Sequence, residues 1–295
     1  MKNVPSAWAF VAVLIGGPAL AADLPSMKAP PPYYPPVPIQ NWSGFYVGIN
    51  AGGIFGGSQG VTTSAYDLYD APGFAPGAAF ATSAVGWGPV SNAGFIGGGQ
   101  IGYNWQLNNS FVAGIETDLQ GTSSSHSSSL VGYGFDPLSG TSPVTTTSVQ
   151  KSLDYLGTVR ARVGFLPTPT ILLYATGGLA YGGVNLQNSL ASIDAANIYS
   201  PGFGSSSFSD TRVGWTVGAG GEWMFAHNWS AKLEYMYYNL GSVSTPATAV
   251  AGLNAAGATS WAYAPSASAR YDGHVIRAGL NYHFNWGAAP ILAKY

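Results

Sequence analysis

The chain has no cysteine among its 295 residues. That excludes a disulfide framework and any thiolate metal site. It also excludes a lipid anchor, which needs an N-terminal cysteine. Charge is scarce too. Asp, Glu, Lys and Arg make up 7% of the chain, against about 25% in an ordinary soluble domain. The formal net charge is −2, so the chain lacks the basic surface that holds nucleic acid. Long apolar runs are missing as well. No segment offers the ~18 uninterrupted apolar residues that a spanning helix requires. The N-terminal run, Trp8 to Ile15, follows Lys2 and precedes Ala19-Leu20-Ala21. It is too short for a bilayer core of about 30 Å and reads as a secretory signal over residues 1–21.

Glycine and aromatics are plentiful, with 41 Gly and 14% Phe, Trp and Tyr. Glycine weakens a soluble sheet but suits closely packed barrel walls. Residues 22–41, ADLPSMKAPPPYYPPVPIQN, are too Pro-rich for a helix or a sheet interior. An extended leader at about 3.1 Å per residue would reach roughly 60 Å. The remaining domain, 42–295, begins with WSGFYVGINAGG.

The most informative stretch runs from Arg212 to Gly241. Val213, Trp215, Val217, Ala219, Gly221 and Trp223 fall on one face, and Arg212, Thr216 and Glu222 on the other. After a short polar turn at Ala226-His227-Asn228, Ala231, Leu233, Tyr235 and Tyr237 alternate with Ser230, Lys232, Glu234 and Met236. A period of two is the strand period, and the short turn predicts an antiparallel hairpin. One face carries no charge; the other carries the charges. A soluble sheet and a membrane barrel can both produce that pattern.

Similar alternation predicts further strands near 42–52, 94–107, 111–120, 153–165 and 274–284. A strand over 171–183 is apolar on both faces and has no evident orientation. Connections alternate between long and short. Strands of about ten residues, with short turns at one end and long loops at the other, are the outer-membrane pattern. A soluble eight-stranded barrel would put apolar residues inside and need no such sorting. The fold predicted is therefore all-β: an eight-stranded antiparallel up-and-down transmembrane β-barrel, with four long extracellular loops and short periplasmic turns. Trp105, Trp223, Trp229, Tyr235, Tyr282 and Phe284 are expected near the turn ends as an aromatic girdle.

Charges on the face opposite the apolar one are Glu116, Asp118, Glu222 and Glu234 against Arg160, Arg162, Lys232 and Arg277, with Arg212 at a strand end. On the lipid face, Arg or Lys would cost up to about 2–4 kcal/mol each at the midplane. Inside, these groups can pair. Register suggests Glu222 with Lys232, Glu234 with Arg277, and Glu116 and Asp118 with Arg160 and Arg162. Two readings follow: a salt-bridge network that fills the lumen, or the same groups lining a narrow water path.

Other motifs carry little. Ser123-Ser124-Ser125-His126-Ser127 lacks a matched carboxylate and reads as solvated loop, so no catalytic site is expected. The four histidines, His126, His227, His274 and His283, have no metal-ligand spacing. Gly97-x-Gly99-x-x-Gly102 matches a dinucleotide fingerprint, but no helix follows it. Asp67 and Asp70 are too few for a calcium loop. Neither a cofactor nor a metal is expected.

The Ala-Ala-Asp-Leu-Pro junction, the WSGFYVGINAGG start, the YATGGLAYG strand and the closing AGLNYHF resemble the small porin-like outer-membrane proteins of alphaproteobacteria, eight-stranded relatives of the OmpA membrane domain. The resemblance implies a monomer in the Gram-negative outer membrane. Its partners would be membrane lipids, lipopolysaccharide and, during biogenesis, the barrel-assembly machinery. It also implies a structural role in envelope integrity and surface coat. A low-conductance porin, or loops that bind haem or a host partner, are the alternatives. Barrels of this kind can carry an Ala-Asp start joined to peptidoglycan, which makes Ala22 the candidate attachment point. The chain continues past Phe284 with NWGAAPILAKY, leaving Phe284 or Tyr295 as the terminal aromatic that assembly would read.

Overall fold

A computed structural model of the chain describes residues 41–57, 60–91 and 93–284. The expected signal over 1–21, the Pro-rich segment with Ala22 up to residue 40, and Tyr295 lie outside the described residues.

Eight long strands form a ring. They are β1 (Gly44–Phe55), β4 (Gly94–Gln106), β5 (Phe111–Tyr133), β6 (Pro143–Thr168), β7 (Ile171–Asp194), β8 (Gly202–Ala226), β9 (Trp229–Ser244) and β11 (Thr259–Phe284). Each pairs antiparallel with the next, and β1 closes the ring on β11, with Phe45 opposite Phe284. Three short strands, β2 (Gly60–Asp70), β3 (Gly86–Pro89) and β10 (Val250–Leu253), and a helix, α1 (Pro76–Ser83), belong to the long connections. The connections β4–β5, β6–β7 and β8–β9 are tight turns, all at one end.

Alternation decides the faces. Phe45, Val47 and Ile49 of β1, and Ile115 and Leu119 of β5, are exposed on the outside. The same holds for Val159 and Val163 of β6 and for Leu233, Ile276 and Leu280. The strand over 171–183 takes its orientation from the ring: Leu172, Tyr174 and Ala180 are buried, while Leu173 and Leu179 are exposed. This outer belt has no charge and matches a hydrocarbon solvent.

Much of the four long connections is itself strand. β5, β6, β7, β8 and β11 run for 23, 26, 24, 25 and 26 residues, whereas about 9–11 residues cross a bilayer. The cylinder therefore continues well beyond the apolar belt, and the alternation inverts there. Along β7 the outward residues change from Leu173, Ala175 and Leu179 to Asn185, Gln187 and Ser189. Their inward neighbours there are Val184, Leu186 and Leu190, with Asn188 among them, all buried. Outside the bilayer the solvent is water, so the polar face turns outward and the apolar face becomes a core.

Within the first long connection, β2 continues the path of β1. β1 pairs with β11 from Phe284 to His274, and β2 resumes from Ala269 to Trp261. Gly56 and Gly57, at φ +67° and +77°, make the intervening kink, a conformation that disfavours other residues. α1 then packs against β2, β5, β6 and β11 at the mouth of the upper cylinder. Pro at its start suits helix initiation. Phe80 is fully buried and stacks on Trp261 with ring centroids 3.7 Å apart.

Candidate functional site in the barrel lumen

Eight of the nine expected charges meet in the lumen: Glu116, Asp118, Arg160, Arg162, Glu222, Lys232, Glu234 and Arg277 are all 3% exposed or less. Period-two alternation puts each on the inner face of its strand. Arg160 is the hub. It donates to Glu116 at 2.5 Å, Asp118 at 2.9 Å and Glu234 at 2.8 Å. Arg277 donates to Asp118 at 2.8 Å and lies 2.6 Å from Glu234. Arg162 donates to Glu222 at 3.2 Å and lies 3.6 Å from Glu116. Lys232 Nζ reaches Glu116 at 2.9 Å.

The pairing differs from a simple neighbour rule. Glu222 does stand opposite Lys232 in the register, but the lysine turns to Glu116. Glu222 instead receives hydrogen bonds from Arg162, Ser230 and Asn281 and lies 3.3 Å from His283 Nε2. The reason is the width of the ring. In the strand order, β5 and β9 are diametrically opposed, so the Lys232–Glu116 bond crosses the lumen. So, nearly, does Arg277–Asp118, from β11 to β5. Only a narrow eight-stranded interior lets side chains meet across it.

Tyrosines and amides extend the network. Tyr46 Oη donates to Glu116 at 2.7 Å and Tyr174 Oη to Glu234 at 3.2 Å. The Arg162 guanidinium lies 4.7 Å from the centre of the Tyr46 ring and 5.2 Å from that of Tyr174, a cation–π arrangement. Asn50 donates to Gln100, Gln100 to Asn281, and Asn281 to Glu222. Gly102 explains part of the glycine-rich β4. A Cβ there would collide with the Tyr46 hydroxyl. Sequence reasoning passed over Tyr46 and Tyr174. Their signal was a tyrosine in phase with the polar residues of its strand.

Apolar layers bound this charged one. Toward the short turns lie Trp42, Val112, Leu166, Leu172 and Met224, with Trp42 Nε1 donating to the Pro169 carbonyl at 3.0 Å. Toward the far end lie Leu153, Leu156, Val184, Met236, Tyr238 and Val275. Beyond them, Phe80 and Ala81 of α1 pack with Leu190, Trp261 and Tyr263. A chain of hydroxyls, Ser83–Thr145–Ser192–Tyr263, pins the helix with spacings of 2.6, 2.7 and 2.6 Å.

Arg212 does not join the network. It lies further up β8, opposite Gly182, and makes no ion pair among the described residues. On the outside, Trp105, Trp223 and Trp229 are 46%, 56% and 45% exposed beside the short turns, with Tyr282 and Phe284 packed edge to face next to them. Tyr235 does not belong to that ring of aromatics. At ~3.3 Å per residue it stands about 20 Å along β9 from Trp229. There it pairs with His274 Nδ1 at 2.7 Å, in a second aromatic cluster with Phe55 and Tyr237.

A family model described as the outer membrane protein beta-barrel domain matches residues 10–284. Over 277 residues the chain is 34% identical to the 31 kDa outer-membrane immunogenic protein of Brucella melitensis biotype 1, covering 94% of this chain and 98% of that one. The 22 kDa outer membrane protein of Rhizobium leguminosarum bv. viciae is 34% identical over 142 residues, 48% of this chain and 51% of that one. Among solved structures, OprG of Pseudomonas aeruginosa aligns with 83% of this chain and all of its own, at 10% identity and a TM-score of 0.35. The assignment rests on the family match and the Brucella relative, together with the closed ring of strands. The chain belongs to the outer membrane protein beta-barrel family and is a β-barrel of the Gram-negative outer membrane.

Proposed function

We propose that this barrel is a sealed structural element of the outer membrane, which contributes to envelope integrity and presents a rigid surface coat. One observation carries the reading: ion pairs span the diameter of the lumen, and apolar layers cover them on both sides. Buried pairs of this kind add little net stability, but breaking one costs about 3–5 kcal/mol. A path for water through the lumen would have to break several. The role is mechanical and antigenic rather than catalytic. The strands that rise beyond the belt supply the surface, which agrees with the name of the Brucella relative as an immunogenic protein. The ring leaves no open edge in the membrane, which supports a monomer. A tether through Ala22 to peptidoglycan remains part of the proposal, and mass spectrometry of muramidase-digested cell walls tests it.

Deletion of the gene tests the structural role. The deletion strain should become sensitive to detergent and EDTA, with uptake of small solutes unchanged. Slowed solute uptake with intact detergent resistance would instead favour the low-conductance porin.

A further inference from the structure

Above the lipid belt, the outward face of β5 to β8 carries an ordered array. Three cross-strand rows are in register. They read Ser125–Ser152–Asn185–Ser209, Ser127–Gln150–Gln187–Ser207 and Ser129–Ser148–Ser189–Ser205. None of these positions is charged or apolar. The face is concave: an open hollow of about 530 Å³ lies over Ser127, Ser148, Gln150, Gln187, Ser189 and Ser207. Within the array, Gln150 donates to Ser125 at 3.2 Å, and Ser152 and Asn185 turn to Asp154. The other side chains of the array make no hydrogen bond among the described residues.

We infer that this face binds the neutral saccharide of the outer-leaflet glycolipid standing beside the barrel. Three features select that occupant. The array is made of hydroxyls and amides, each of which donates and accepts, as a polyol requires. Aromatic side chains flank it: Tyr133 and Phe203, 72% and 73% exposed, lie at its crest, and Tyr155 lies at its foot. Their ring faces can stack on the apolar C–H faces of a sugar ring. The array also continues the lipid-facing surface on the same strands, at the height where a glycolipid's head begins. A phosphate group is a poor match, because the outward charge at the array is the exposed carboxylate of Asp154, which accepts from Ser152 and Asn185. This inference rests on the outer-membrane location and not on whether the lumen is sealed.

The test uses the full-length protein refolded in phospholipid nanodiscs and a fluorescently labelled, delipidated neutral oligosaccharide from the outer-membrane glycolipid. The variant is S148E/S189E, which puts two carboxylates in the middle of the array at exposed positions. Heat-modifiable gel migration checks that it folds. Loss of a few hydrogen bonds corresponds to about a tenfold or greater loss of affinity. Wild type should bind, the variant should bind at least about tenfold more weakly, and intact glycolipid should compete while its saccharide-free lipid anchor does not. Equal binding by both proteins, no binding by wild type, or competition by the lipid anchor alone would overturn the inference. So would self-association of wild type that the variant abolishes, because the face would then belong to a second copy.

Discussion

Replacing Arg160 with methionine probes the lumen most sharply. The side chain touches Glu116, Asp118 and Glu234 and is fully buried. Its loss leaves four carboxylates, Glu116, Asp118, Glu222 and Glu234, facing three cations, Arg162, Lys232 and Arg277. One negative charge is then uncompensated in a dry interior. The expected cost is about 3–5 kcal/mol, or roughly two to four powers of ten in the folded-to-unfolded ratio. Methionine keeps most of the volume, so a cavity contributes little. Asp118→Asn also removes a partner, in this case from Arg160 and Arg277. The double variant R160M/D118N restores neutrality, so it should cost less than the sum of the singles by about 1 kcal/mol or more. Urea unfolding from lipid vesicles, followed by heat-modifiable gel migration, supplies all three values. If R160M unfolds within about 0.5 kcal/mol of wild type, as a surface pair would, the lumen is bathed in water and the reasoning fails.

Three further outcomes follow from the geometry. Phe80→Ala should loosen α1 by about 3–5 kcal/mol without moving the unfolding midpoint of the membrane barrel; hydrogen exchange over residues 76–83 and gel migration separate the two effects. Asp136 clamps the same helix by accepting from the Ala75 N–H at 3.1 Å. Burial alone would push its carboxyl up, but hydrogen bonds from Ser139, Leu138 and Ala75 outweigh that and hold it below the usual carboxylate range. A depressed folded pKa gives stability that is complete above the unfolded value and lost as pH falls through the folded one. Protection of α1 from protease should thus hold from about pH 7 to 5, begin to weaken near pH 4 and be lost at lower pH, whereas Asp136→Asn should weaken it already at about pH 7 and remove that pH dependence. In single-tryptophan variants, brominated lipid should quench Trp105, Trp223 and Trp229 but not Trp42 or Trp261, which are fully buried in the interior.

The membrane half of this barrel is legible in the sequence because bilayer and lumen demand opposite chemistry at alternate positions. Val213 and Glu222 report their faces directly, and the tight turns at 107–110 and 227–228 set strand direction. The upper half is hidden for a physical reason. Once a strand leaves lipid its polar and apolar faces exchange, so Ser123 to Ser129 reads as loop although Ser124 to Ser129 are paired residue by residue with β6. The same inversion conceals Leu153 and Val184, which look like lipid-facing residues and are core. Helix α1 carried no amphipathic signal, since it is buried on most sides among Ala and Gly. Type and phase identify the site charges, and register pairs Arg160 with Glu116 and Asp118 and Arg277 with Glu234, but it misplaces Glu222 and Lys232. Ladder register pairs neighbours, while a narrow lumen lets Lys232 pass over the adjacent Glu222 for Glu116 across the ring.

Planar-bilayer conductance of the refolded full-length protein tests sealing directly. The account predicts a silent bilayer from wild type, at either polarity and in high salt, with protein insertion verified by heat-modifiable migration. Large, stable open steps from that same preparation would contradict it.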